Sequence, residues 1–202
     1  MRYYHSDPHF TIPSVSRLQG LLVASADFTT RNDMQDFLDD FRQTIDSASN
    51  ELLRIPAEQN QTPRASGKWS PKEIVGHLID SASNNHQRFV RAQFTDDLVF
   101  AGYEQEGWVR AQNYQGENWD ELVQLWKLYN QHILHLMGRI PEEARMKLRY
   151  KHNLHQIASD SLTESEPVTL DWFMRDYVDH MKKHLGQILG AEWQRTAVKQ
   201  SS

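Results

Sequence analysis

Apolar residues recur at steps of three and four along four separate stretches of this chain, and no stretch of note alternates with the period of two that a half-buried strand needs. That periodicity confines the fold to packed amphipathic helices. The first stretch runs from about Arg31 to Arg54, with Met34, Phe37, Leu38, Phe41, Ile45, Ala48, Leu52 and Ile55 on one face. Thr30 and Asp33 suit its start, and Pro56 its stop. The second opens at Ser70-Pro71-Lys72-Glu73, with serine at the cap, proline at the first helical position and glutamate at the third, and it reaches about Phe94. The third starts near Asn118, where Glu121 completes a second capping box, and ends at Gly138. The fourth runs from a Thr169 cap to about Gln194. Four such helices, with one long connection between the second and third, predict an all-α four-helix bundle over residues 30–194. Residues 1–29 read as an N-terminal arm, extended along the domain or partly disordered, and residues 195–202 as a polar tail.

Two of the helices carry polar groups where a plain core would not. On the fourth, Phe173, Tyr177, His180, His184 and Ile188 form the apolar seam, so two imidazoles share the inward face. Buried imidazoles need partners. A metal ion would serve both at once; backbone or tyrosine partners would serve each singly. On the second, the inward face reads Ile74, His77 or Leu78, Ser81, Asn85, Arg88 or Phe89, and Ala92. Half of it is polar. Taken alone, this helix is expected to be lightly buried with a solvated stripe. Bundles nevertheless build metal sites from facing helices, which is the arrangement His77 and the His180/His184 pair would require. His132 and His135 fall off the leucine seam of the third helix and are expected at the rim. The connection at 95–117 holds Tyr103, Trp108 and Tyr114, too aromatic for disorder, and reads as a lid or cleft wall. Residues 144–168 read as irregular, and His152 and His155 within them carry no specific expectation.

Composition removes several classes of function. The net charge is -5 with no basic block, which argues against nucleic acid. No apolar run approaches the roughly 20 residues of a membrane span, and Gly20-Leu21-Leu22-Val23-Ala24 is too short and too poorly placed for a signal peptide; the lack of cysteine suits a reducing cytoplasm, the expected compartment. There is no cysteine, so disulfides, thiolate ligands and a cysteine nucleophile are excluded. Any metal must be held by His, Asp or Glu, and ten histidines are available.

Taken in order, Gly67-Lys68-Trp69-Ser70, then Val75-Gly76-His77-Leu78-Ile79-Asp80-Ser81, Asn85 and Arg88, Tyr103 with Trp108, and Asp179-His180-Met181-Lys182-Lys183-His184-Leu185-Gly186-Gln187-Ile188 resemble the DinB/YfiT-like family of metalloenzymes, most closely its YfiT branch. The resemblance spans roughly residues 31–192. It implies up-down-down-up topology and a divalent metal held by His77, His180 and His184. It also implies frequent homodimers. Members of the family are labelled metal-dependent hydrolases, and some relatives are thiol S-transferases or thiol-dependent isomerases.

Three neutral histidines leave the charge of such an ion unquenched and a coordination position open. Zinc or nickel is the expected metal. The motif is not the His-Glu-x-x-His of zinc peptidases, because Met181 stands where the glutamate base belongs. Asp80, three residues after His77, is placed either to orient a ligand and carry a proton or as a surface carboxylate. Arg88 is placed to hold an anionic group or to form a plain salt bridge. Asn85, Tyr103 and Trp108 are the candidate substrate contacts. The leading expectation is a hydrolase acting on a small molecule through metal-activated water. The alternatives are a transferase for a low-molecular-weight thiol at the same metal, and a non-catalytic metal- or ligand-binding stress protein.

Overall fold

The computed structural model describes residues 15–190, 192 and 193, with side chains from residue 33 onward. In chain order the helices are α1 (Val15–Leu52), α2 (Ala57–Asn60), α3 (Pro71–Arg91), α4 (Gln105–Gln112), α5 (Trp119–Met137), α6 (Glu142–Met146), α7 (Leu154–Ile157) and α8 (Leu170–Leu189). The chain divides into two compact units, Met1–Phe37 and Leu38–Ser202. The first unit contains the helical segment from Val15 to Phe37. The second contains the rest of α1 and all the later helices.

The starts of the helices follow their capping chemistry. The Ser70 side chain accepts from the Glu73 backbone N–H, and the Glu73 carboxylate accepts from the Ser70 N–H at 2.7 Å, a complete capping box. Asn118 accepts from the Glu121 N–H at 3.1 Å, and Thr169 from the Trp172 N–H at 3.1 Å. Two boundaries differ from the sequence reading. The first helix begins at Val15 rather than near Arg31, so residues 15–29 are helical and not extended. No proline lies between Pro13 and Pro56, and nothing else in that stretch forces the backbone ladder to break, so the cap signal at Thr30 is overrun. The last long helix ends at Leu189 rather than near Gln194, because Gly190 takes a φ of 97°, a left-handed geometry that glycine adopts without strain. The remainder of the expected arm, residues 1–14, and the expected tail at 195–202 lie outside the described residues.

Long-range contacts give the topology of the second unit. Trp119 Nε1 donates to the Leu52 carbonyl at 3.0 Å, joining the start of α5 to the end of α1. Lys72 Nζ donates to the Gln115 and Glu117 carbonyls, which sets the starts of α3 and α5 at one end. Phe89 packs edge-on against Phe173, placing the end of α3 beside the start of α8. Hence α1 and α8 run one way and α3 and α5 the other: a four-helix bundle, up-down-down-up. Parallel neighbours cannot be joined by a tight loop, so the α3–α5 crossover is long and carries α4 and a 3₁₀ turn at Tyr114–Gly116.

The core between the helices contains Phe41, Leu78, Phe89, Trp126 and Phe173, all essentially inaccessible. Tyr177 stands among them, edge-on to Phe41 and Phe89, and its hydroxyl donates to Asn130 Oδ1 at 2.6 Å. The connections are tied by isolated backbone bridges, Leu98 to His152 and Arg149 to Val168; there is no strand among the described residues. No helix among the described residues is long and apolar enough to cross a membrane.

Candidate metal centre

The capping box at Ser70 fixes where α3 begins, and therefore which of its residues face the bundle. His77 lies in the second turn and is fully buried. On α8, His180 and His184 are half-buried, while their neighbours Met181 and Leu185 are buried. The pair thus stands at the edge of the α8 seam rather than in its middle, beside the N-terminal half of α3.

The three imidazoles converge. His77 Nε2 and His180 Nε2 are 3.4 Å apart. One ring nitrogen from each of the three histidines lies within 4.8 Å of the others. Ring centroids are separated by 5.3 Å for His77 and His180, 4.7 Å for His77 and His184, and 4.6 Å for His180 and His184. Two nitrogens on a tetrahedral ion, each bonded at about 2.0–2.1 Å, lie about 3.3–3.4 Å apart. The His77–His180 pair therefore already has the spacing a cation of zinc size needs, and the third nitrogen lies within 4.8 Å of both.

Protonation fits as well. Burial, followed by the neighbouring His184, holds His77 down at about 3. Burial and the other two histidines hold His180 down at about 3 also. Burial lowers His184, partly offset by Gln187. Neutral imidazole is the ligating form. His184 Nδ1 donates to Gln187 Oε1 at 3.1 Å, which leaves its Nε2 lone pair for a ligand. The Trp69 ring covers the cluster, 5.0 Å from His77 and stacked at 6.4 Å from His184.

Around His77 two buried polar atoms lack a hydrogen bond: its own Nδ1, and Asp80 Oδ2, three residues further along α3. Asp80 is no surface carboxylate. It is 3% exposed, and its other oxygen accepts from Gln112 Nε2 at 2.6 Å and Tyr114 Oη at 2.8 Å. Burial pushes its pKa up against those two hydrogen bonds.

The polar stripe of α3 is buried, not solvated as expected for that helix alone: Ser81, Asn85 and Arg88 are 3%, 7% and 6% exposed. The reason is the crossover, which lies over the stripe and whose Ala101 carbonyl accepts from Arg88 Nη2 at 2.9 Å. Arg88 Nη1 donates to Asn85 Oδ1 at 3.3 Å, and Asn85 Nδ2 donates to the Ser81 carbonyl at 3.0 Å. Arg88 forms no salt bridge among the described residues; both bonds go to neutral oxygens. Beneath the centre, His180 and Tyr177 of α8 and Ser81, Asn85 and Arg88 of α3 line a small cavity of about 70 Å³ together with Tyr103 of the crossover. Burial raises the Tyr103 hydroxyl to about 12. Trp108 packs on Tyr103 at 4.9 Å but is 39% exposed and stands outside that cavity.

The other described histidines lie elsewhere. His132 and His135 are exposed at the rim, His132 with its ring 5.0 Å from His86. His152 is buried and its Nε2 donates to the Glu166 carbonyl at 2.8 Å, holding the 144–168 connection together. Trp69, Gln112, Tyr114 and Gln187 complete the surroundings of the centre and are not among the site residues the sequence singles out. Gln187 had a local signal, standing one turn after His184. Tyr114 and Gln112 had none, because they reach Asp80 across the crossover.

Residues 38–188 match the sequence profile described as the DinB superfamily. A Bacillus mycoides protein that carries the provisional name metal-dependent hydrolase is 30% identical over 78 residues, 37% of this chain and 45% of that protein. A Bacillus cereus protein of the same provisional name is 28% identical over the same length. The chain thus spans about half the length of the curated relatives it matches. Among solved structures, YfiT from Bacillus subtilis, described as a probable metal-dependent hydrolase with an unusual four-helix bundle topology, superposes with a TM-score of 0.65 and 17% identity. That match covers 95% of this chain and 93% of YfiT.

Proposed function

This chain belongs to the DinB superfamily, and from that premise we propose that His77, His180 and His184 hold a divalent metal ion, zinc or nickel, and that the protein is a hydrolase acting on a small molecule. The observation that carries the reading is the convergence of three neutral imidazoles, with the His77 and His180 Nε2 atoms at 3.4 Å. A divalent ion bound there supplies Lewis acidity and lowers the pKa of a coordinated water toward neutrality.

The chain's own groups do the rest. Gln187 fixes the tautomer and rotation of His184. Asp80 is the carboxylate available to His77, with an unengaged oxygen on the same helix and two donors steadying the other. The two unpartnered atoms, His77 Nδ1 and Asp80 Oδ2, do not meet in this structure; if they meet when the ion binds, Asp80 orients that ring as a positioning residue. Met181 leaves α8 without a carboxylate base between the two histidines, so proton transfer falls to Asp80 or to the substrate itself. Trp69 shields the centre from bulk water on one side.

The test is metal analysis of protein purified without chelator or affinity-tag metal, beside a His180→Ala/His184→Ala variant, followed by ester and amide turnover. About one equivalent of metal in the wild type, absent from the variant, with metal-dependent hydrolysis, supports the reading. A wild type that is empty and takes up neither zinc nor nickel overturns it. Metal-dependent consumption of an electrophile such as monochlorobimane only when a small thiol is present would assign S-transfer instead. A loaded protein inert in both assays would assign metal binding without catalysis.

A further inference from the structure

Three arginine side chains are buried among the described residues. Arg145 is 3% exposed and pairs with the Asp171 carboxylate. Arg149 donates to three backbone carbonyls, those of Ala144, Lys147 and Ala92, with its Nε left unpartnered, and so pins the end of α3 to the later connection, away from the three-histidine centre. Arg88 is different. It is 6% exposed, has no carboxylate partner among the described residues, and makes two hydrogen bonds to neutral oxygens, Asn85 Oδ1 and the Ala101 carbonyl. A guanidinium offers more donors than that and cannot shed its charge in a protein. A buried cation left without an anion is costly.

The guanidinium is also aimed. Its bond to Asn85 turns it back toward the N-terminal half of α3, the half that carries His77. It lines the same cavity of about 70 Å³ as His180. That volume takes a small group, not a whole substrate. The other polar walls are neutral, Ser81, Asn85, Tyr103 and Tyr177 among them, apart from one acid, Asp176, and the rest, such as Phe173 and Ile157, are apolar. Asp176 is directed at backbone, its carboxylate accepting from the Ser159 and Asp160 N–H groups at 3.0 and 2.8 Å.

We propose that Arg88 and this cavity bind the carboxylate of the substrate, so that the molecules brought to the three-histidine centre are small carboxylic acids held by the end remote from the reacting bond. The substrate class rests on the hydrolase reading above, but the anion subsite stands on Arg88 alone. Arg88 lies 11 positions after His77, roughly 16 Å along the helix axis before the side chain folds back. Carboxylate and reacting group are therefore separated by several bonds. A carboxylate suits a planar guanidinium because it accepts two parallel N–H bonds, and a neutral amide of the same shape cannot replace its charge.

Two measurements separate the subsite from the metal. In the first, metal-free protein is titrated with acetate and with acetamide while backbone and Arg88 side-chain N–H resonances are followed by NMR. Acetate should move Arg88, Ser81 and Asn85, and acetamide should not. In Arg88→Gln, with its fold checked by circular dichroism, acetate should move Ser81 and Asn85 no more than acetamide does, and Arg88→Lys should restore part of the response. Equal responses to acetate and acetamide in the wild type, or an undiminished acetate response in Arg88→Gln, overturn the proposal. In the second, cobalt-loaded protein is titrated with mercaptocarboxylates of increasing chain length and with their amides, read by thiolate-to-cobalt absorption. The best acid should bind about tenfold tighter than its amide, and the preference should collapse in Arg88→Gln. Equal binding of acid and amide at every length contradicts the proposal. Failure to take up cobalt counts against the metal centre and leaves the first measurement to decide the subsite.

Discussion

Tyr114 Oη donates to Asp80 Oδ1 at 2.8 Å, joining residues 34 positions apart. The bond fastens the far end of the α3–α5 crossover to α3, one turn beyond His77. The Tyr114 ring also lies flat against the helix at Gly76: a Cβ built there would sit 2.1 Å from the ring. Absence of a side chain at Gly76 is therefore what lets Tyr114 reach Asp80 at all.

Gly76→Ala should displace the Tyr114 ring and with it a donor to a buried carboxylate. A loss of about 1–3 kcal/mol is expected from overpacking, read by denaturant unfolding, with weaker zinc retention in a chelator competition. Tyr114→Phe should keep the ring in place and cost less. If both variants unfold and bind zinc like wild type, the clamp is not part of the centre.

Gln187 is exposed and touches the centre only through His184 Nδ1. Gln187→Leu should leave the fold unchanged but weaken metal binding by about 10–100-fold, the usual effect of losing a group that orients a ligand. Competition against a chromogenic chelator gives the number, and an unaltered affinity would remove Gln187 from the account.

Acid should destabilise the metal-free protein through its buried histidines. His77 and His180 are held at about 3, against an ordinary value of 6.5. Below 6.5 the unfolded chain takes up protons that the folded chain refuses, so their contribution is intact above 6.5. It falls steadily as the pH drops toward 3. Urea midpoints between pH 7 and 4, with chelator present, should decline more steeply in wild type than in His77→Gln. Parallel curves would contradict the burial of an uncharged imidazole.

Tyr177→Phe should keep the aromatic packing on Phe41 and Phe89 while leaving the buried Asn130 Oδ1 without its 2.6 Å donor. An unsatisfied buried acceptor costs about 1–3 kcal/mol. Thermal unfolding monitored by helical circular dichroism should show it, and an unchanged midpoint would mean that Asn130 finds another partner.

The parts of this molecule that a sequence exposes are those written at helical spacing. Phe41, Ile45 and Leu52 mark one face of α1, and Ser70 through Glu73 state where α3 starts, because both signals lie within a turn or two. The meeting of His77 with His180 follows from knowing which faces turn inward. The burial of Ser81, Asn85 and Arg88 could not be read the same way. It depends on a crossover whose path is set by contacts such as Arg88 with Ala101 and Tyr114 with Asp80, and such partners are not encoded in any local pattern. The early start of α1 at Val15 was hidden for the opposite reason: a plausible cap at Thr30 stands inside a helix that does not need it.

His77 and His180 are separated by 103 positions. A ribosome making this chain completes α3 long before the last ligands exist. The nascent chain cannot close the three-histidine cluster until α8 has emerged and docked antiparallel to α3. Any capture of a cation by these three histidines would thus be a late event in the life of each molecule, and would report the correct docking of α8 on α3.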